Sequence, residues 1–123
     1  MKQPPTDPLD RIVFEKLRFL QDEEHDYLSE LIATYLDSAP KLLDTLRAAI
    51  AGSDVPATQR AAHTLKGSSA SLGAATLAAH CRELEILART GMLNGAPEWL
   101  QKIEDEYGRV KGALVMEIKP KQA

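Results

Sequence analysis

The sequence predicts an all-α protein, an antiparallel four-helix bundle of up-down-up-down order with an additional short N-terminal helix. Three observations lead there. Every apolar stripe recurs with a period near 3.6 residues, no segment alternates with the period of two that a half-buried strand requires, and the connections between stripes are short. The chain has 123 residues, 44% hydrophobic and only 5% aromatic, so it forms one domain with a mostly aliphatic core. Domain boundaries are expected at a flexible leader over 1–8, the bundle over 9–117 and a short tail over 118–123.

Met1 to Pro8 hold three prolines, which lack the N–H that an element interior needs, and Asp7 is placed to cap the first helix. From Leu9, the apolar residues Ile12, Val13, Phe14, Leu17 and Leu20 give that helix a short amphipathic stripe. Asp22-Glu23-Glu24 favour the positive end of a second helix bearing Leu28, Leu31, Ile32, Tyr35 and Leu36. Its stripe resumes with Leu42, Leu43, Leu46 and Ile50, and a break is expected at Ser38-Ala39-Pro40 and again at Gly52-Ser53. Asp54 with Pro56 opens a helix from about Val55 to Leu72, closed by Gly73. Leu77, Cys81, Leu84 and Leu87 mark the next, from about Ala75 to Arg89, closed at Gly91. Asn94-Gly95-Ala96-Pro97 then leads into a last helix with Trp99, Ile103, Tyr107, Val110 and Leu114 on one side.

Composition excludes several classes of function. There are 15 Lys plus Arg against 18 Asp plus Glu, a net charge of -3, which offers no basic excess for nucleic acid. No apolar run approaches a membrane span, no secretory signal opens the chain, and the single Cys81 cannot pair within it; a cytoplasmic protein is expected. His80 and Cys81 point about 100° apart on a helix, which is poor geometry for a metal, and Cys81 belongs to the core stripe. His25, among acidic residues, reads as a surface histidine. Glu83 and Glu85 face nearly opposite ways and do not form a glycosidase pair. Without a Walker or kinase-type glycine loop, nothing holds ATP phosphates, so the domain is not expected to phosphorylate itself.

The stretch His63-Thr64-Leu65-Lys66-Gly67-Ser68-Ser69 falls in mid-helix. Ala62, Leu65, Ser69 and Leu72 share the inward side, so His63 faces water, with Lys66 and Gly67 at i+3 and i+4 beside it. A glycine inside a helix costs about 1 kcal/mol against alanine, and one use for it is close approach by another molecule. Neutral imidazole has a free nitrogen able to attack phosphorus. A surface histidine beside a packing glycine is the other reading of the same residues.

That string, followed by Leu72-Gly73, resembles the signature of the histidine-containing phosphotransfer (HPt) domain family. Ser38-Ala39-Pro40 with Leu43, Leu46-Arg47 and Ile50 is similar to the family's preceding helix, and Leu77 to Glu85 to its following one, so the likeness runs from about Leu28 to Gly91. The resemblance implies that His63 accepts a phosphoryl group from an aspartyl phosphate on a receiver domain and passes it to another receiver. It assigns Lys66 to the phosphate and Gly67 to access. Counting back from the turn at Gly73 sets the level of His63 near Glu83, within reach of Arg82, Glu85 or Arg89. Glu85 is the match to a polar side chain that the family often holds against the second imidazole nitrogen, and Arg89 is a further candidate beside the phosphate.

The implied partners are response-regulator receivers and a hybrid sensor histidine kinase. The chain needs no cofactor of its own, Mg²⁺ being expected on the receiver, and is expected to be a free-standing monomer. An apolar patch for docking is expected on the first helix and the start of the second, through Ile12, Val13, Phe14 or Leu17, most of whose stripe is otherwise core; the first helix is expected to cap one end of the bundle. The alternative is a helical interaction module that binds a receiver or kinase without carrying phosphate. A hydrolase using His63 as base lacks a nucleophile, because Ser68 and Ser69 lie on the same helix and turn away.

Overall fold

A computed structural model describes residues 7–20 and 26–117. Most of the leader, the acidic Asp22-Glu23-Glu24, His25 and the tail lie outside the described residues, so the expectations for them are untouched. Five helices succeed one another: α1 (Arg11–Phe19), α2 (Tyr27–Ala51), α3 (Val55–Ser71), α4 (Ala75–Arg89) and α5 (Ala96–Glu117), with no strand among the described residues. Helices α2 to α5 form the bundle, α3 lying between α2 and α4, and α5 closing the ring between α4 and α2. Leu46, Leu65, Leu77, Leu84, Ile103 and Val110 meet at its centre, fully buried. Each such side chain contributes roughly 1.5–3 kcal/mol.

Local chemistry explains where most helices begin and end. Asp26 caps α2 by accepting the Ser29 N–H at 3.0 Å, and Asp54 caps α3 by accepting that of Ala57 at 3.1 Å. Gly73 and Gly91, at φ +80° and +84°, terminate α3 and α4 in a left-handed conformation that costs other residues about 1–2 kcal/mol.

Two expectations are corrected. The break at Pro40 does not occur, and α2 runs through it without interruption. Leu28, Ile32, Tyr35 and Ala39 before the proline, and Leu43 and Leu46 after it, form one buried stripe, while Pro40 lies on the exposed side. Burial on both flanks outweighs the roughly 3 kcal/mol of an interior proline. The cap of α1 is Asp10, whose Oδ1 accepts the Ile12 N–H at 3.0 Å, and not Asp7, which accepts that of Leu9.

Helix α1 sits at the end of the bundle, against the α3–α4 turn. The Asp10 N–H donates to the Gly73 carbonyl at 2.6 Å. Phe14 is wholly buried, and the guanidinium groups of Arg11 and Arg18 flank its ring and reach the Glu117 carboxylate at the end of α5. Phe14 thus belongs to the core, as expected for most of this stripe; Val13 and Leu17 are half-covered, and Ile12 alone of the four is exposed. The exposed apolar side chains here are Ile12, Phe19 and Leu20, joined on α2 by Tyr27 and Leu31.

Candidate functional site

The orientation of α3 decides what the site can do. Thr58, Ala61, Ala62, Leu65 and Ser69 face the core, and the buried Ser69 hydroxyl shares a 2.8 Å hydrogen bond with that of Tyr35 on α2. With the helix locked in that rotation, His63 emerges on the opposite side, its side chain 64% exposed.

Helix α4 supplies the other half. Its stripe of Leu77, Cys81, Leu84 and Ala88 is buried, and so is the carboxylate of Glu85, only 4% exposed. A buried carboxylate requires donors. Glu85 Oε1 accepts from Lys66 Nζ at 2.8 Å, and Oε2 accepts from His63 Nδ1 at 2.8 Å and from Arg89 Nη2 at 3.3 Å. The hydrogen bond from Lys66 holds the Glu85 carboxyl below the usual carboxylate range; burial opposes that, and the His63 bond adds to it. Ionised, Glu85 only accepts, so the proton of a neutral His63 ring lies on Nδ1 and the lone pair on Nε2.

Four of the residues singled out from the sequence thus meet around one carboxylate: His63 and Lys66 from α3, Glu85 and Arg89 from α4. Arg82 is exposed and does not join them. Gly67 lies beside the cluster, and a Cβ built on it would meet nothing within 4 Å, so its lack of a side chain accommodates no neighbour inside the protein. His80 rests against Trp99 at 5.8 Å between ring centres, and Cys81 is in the core, its thiol pushed up to about 12 chiefly by burial. No group of three or more His, Cys, Asp or Glu among the described residues has an arrangement able to hold a metal ion. Sequence reasoning missed Phe19, which lies off the stripe of α1, and placed no docking role on Leu20, which lies at the end of that stripe.

A family model, the Hpt domain, matches residues 30–113, which takes in α3, α4 and most of α2 and α5. The chain belongs to the histidine-containing phosphotransfer family. Relatives of this HPt chain include histidine-containing phosphotransfer protein 5 of Arabidopsis thaliana, 30% identical over 105 residues, 82% of this chain and 67% of the relative. Among solved structures it is similar to histidine-containing phosphotransfer protein B of Pseudomonas aeruginosa PAO1. There the TM-score is 0.84 at 33% identity, over 92% of this chain and 96% of that one. It is also similar to a phosphotransfer protein of Medicago truncatula, MtHPt2, with a TM-score of 0.74 at 30% identity, over 92% of this chain and 82% of that one. Both bear out the four-helix bundle. The HPt role is histidine phosphotransfer in a phosphorelay, as an intermediate working with receiver domains and kinases rather than as a typical enzyme.

Proposed function

We propose that His63 is the phosphoryl carrier of this HPt protein, loaded by the aspartyl phosphate of one receiver domain and discharged to the aspartate of another. The observation that carries the reading is the Nδ1–H of an exposed ring held at 2.8 Å by a buried carboxylate, which leaves Nε2 free. In the forward step the Nε2 lone pair attacks phosphorus, the N–P bond forms, the acyl-phosphate O–P bond breaks and the carboxylate departs with its electron pair. The ring becomes a phosphoimidazolium whose Nδ1–H and positive charge face Glu85, and the reverse step regenerates the same neutral tautomer, so no proton has to move. Lys66 and Arg89 stand close enough to meet phosphoryl oxygens, and Gly67 leaves room for the receiver's active site.

Docking uses the apolar surface of Ile12, Phe19 and Leu20 on α1 and Tyr27 and Leu31 on α2. It continues into a cleft between α2 and α3, lined in part by Ser68 and Ser71, beside Gly67. Contiguous exposed apolar surface of this kind is a usual mark of partner binding. The partners are receivers and a hybrid sensor histidine kinase, with Mg²⁺ brought by the receiver, no cofactor of the chain's own and no ATP-dependent kinase activity. The protein works as a cytoplasmic monomer; no helix among the described residues is long and apolar enough to cross a membrane.

The test is phosphoryl uptake from Mg²⁺-loaded, aspartyl-phosphorylated receivers and from phosphoramidate, read by intact mass in the wild type and His63→Gln. One acid-labile, alkali-stable phosphoryl group is expected on the wild type and none on the variant, with the same helical circular dichroism. Absence of uptake from every donor by the folded protein would make it an interaction module.

A further inference from the structure

A carboxylate 2.8 Å from an imidazole orients the ring, and its charge also favours the imidazolium form. The second effect works against a phosphoryl carrier, because an imidazolium has protons on both nitrogens and no lone pair for phosphorus. Something must separate orientation from charge.

The groups around the ring supply it. From α4, His63 is faced by Glu85 and, through it, by Arg89; from its own helix it is faced by Lys66 at i+3, with the exposed Arg60 at i−3 on the same face. Among the described residues, no hydrogen bond or ion pair joins the ring to α2, which packs on the other flank of α3. Cys81 lies near Glu85 and Lys66, but burial keeps its thiol neutral. Lys66 takes a whole carboxylate oxygen to itself, at 2.8 Å, while Arg89 shares the other at 3.3 Å. The Lys66 side chain is 31% exposed against 62% for Arg89, so its charge is the less screened by water. The hydrogen bond it gives is also the largest influence holding Glu85 ionised.

We infer that Lys66 is a positioning residue acting through Glu85: it offsets the carboxylate charge, so that Glu85 fixes the His63 ring by Nδ1–H without drawing a second proton onto Nε2. The inference rests on the reading of His63 as the carrier, and it gives Lys66 a task before any phosphoryl group arrives. Lys66 keeps the nucleophile neutral, and Glu85 keeps it aimed.

The test is the protonation of the His63 ring, followed against pH by long-range ¹H–¹⁵N NMR on the full chain, in the wild type, Lys66→Met and Lys66→Arg. Loss of the lysine charge leaves Glu85 uncompensated, so the Met variant should become half-protonated at a higher pH than the wild type. The acid limb of phosphoryl uptake from phosphoramidate should move with it. Lys66→Arg, which keeps the charge, should restore both. An unmoved midpoint in the Met variant would overturn the inference, and so would a shift that arginine fails to reverse. The NMR readout needs no phosphoryl transfer, so a wild type that takes up no phosphate would defeat the carrier reading while the Lys66–Glu85–His63 coupling is still judged on its own.

Discussion

Gly67→Ala and Gly67→Gln separate what the fold wants from what the partner wants. Gly67 is in the interior of α3, has helical backbone geometry, and an added Cβ would have no heavy atom within 4 Å. The fold therefore gains nothing from the glycine and bears its helix-propensity cost of about 1 kcal/mol. Gly67→Ala should raise the unfolding free energy by about that amount, equivalent to roughly 4 °C in Tm for a chain of this size, measured by urea and thermal melts followed by circular dichroism. Gly67→Gln should also hold or raise stability. Its side chain, one turn from His63 on the same face, stands where a receiver has to close on Nε2. Transfer from a phosphorylated receiver should slow at least about tenfold, or about 1.4 kcal/mol in the barrier. Uptake from phosphoramidate, which needs no docked protein, should stay at the wild-type rate. Wild-type receiver transfer in Gly67→Gln would refute the close-approach argument, and a destabilised Gly67→Ala would show that the glycine serves the fold after all.

Two further expectations concern the supports of the site. Gly73→Ala places a Cβ 3.0 Å from the Asp10 carbonyl oxygen at a φ of +80°, so strain and loss of the α1 contact should together cost about 2–3 kcal/mol in a urea melt; a change near zero would mean that α1 is not held at this turn. Glu85 titrates below its ordinary value in the folded protein, so its contribution to stability is present above the unfolded value and is lost as pH falls through the folded one. The stability gap between wild type and Glu85→Gln should therefore narrow as the solution is made acidic, whereas a gap independent of pH would sink the assignment.

How much of this was legible depended on whether the deciding forces were local. The ends of α3 and α4 were readable because Asp54, Gly73 and Gly91 act within a turn of themselves. Pro40 was misread for the opposite reason: the local rule against an interior proline is sound, but the stripe from Leu28 to Leu46 buries against α3 and α5, which a window of sequence does not contain. Asp7 and Asp10 both stand before the first stripe, and Pro8 suits a first turn equally well, so pattern alone does not choose the cap. On α1 the apolar stripe was visible but not its depth, since a nine-residue helix at the end of a bundle is covered on one side only. At the site, counting from Gly73 brought Arg82, Glu85 and Arg89 to the level of His63. The choice of Glu85 came from resemblance, and the rotation of α4 then turns its carboxylate inward. Nothing in the sequence showed that the same carboxylate holds Lys66.

The placement of the polar cluster has a consequence for how such a protein can diversify. His63, Lys66, Glu85 and Arg89 all lie within the single hairpin of α3 and α4, whereas most of the exposed apolar surface belongs to α1 and α2. Reactivity lies on α3 and α4, whereas most of the proposed recognition surface lies on α1 and α2 and only its edge reaches α3. If docking uses this surface as proposed, substitutions at Ile12, Phe19, Leu20 or Leu31 retune partner choice while leaving the His63 cluster in place, and the same hairpin can serve in circuits that must not cross-talk. Insulation between pathways then becomes a property of surface residues under no chemical constraint, free to drift as fast as their partners do.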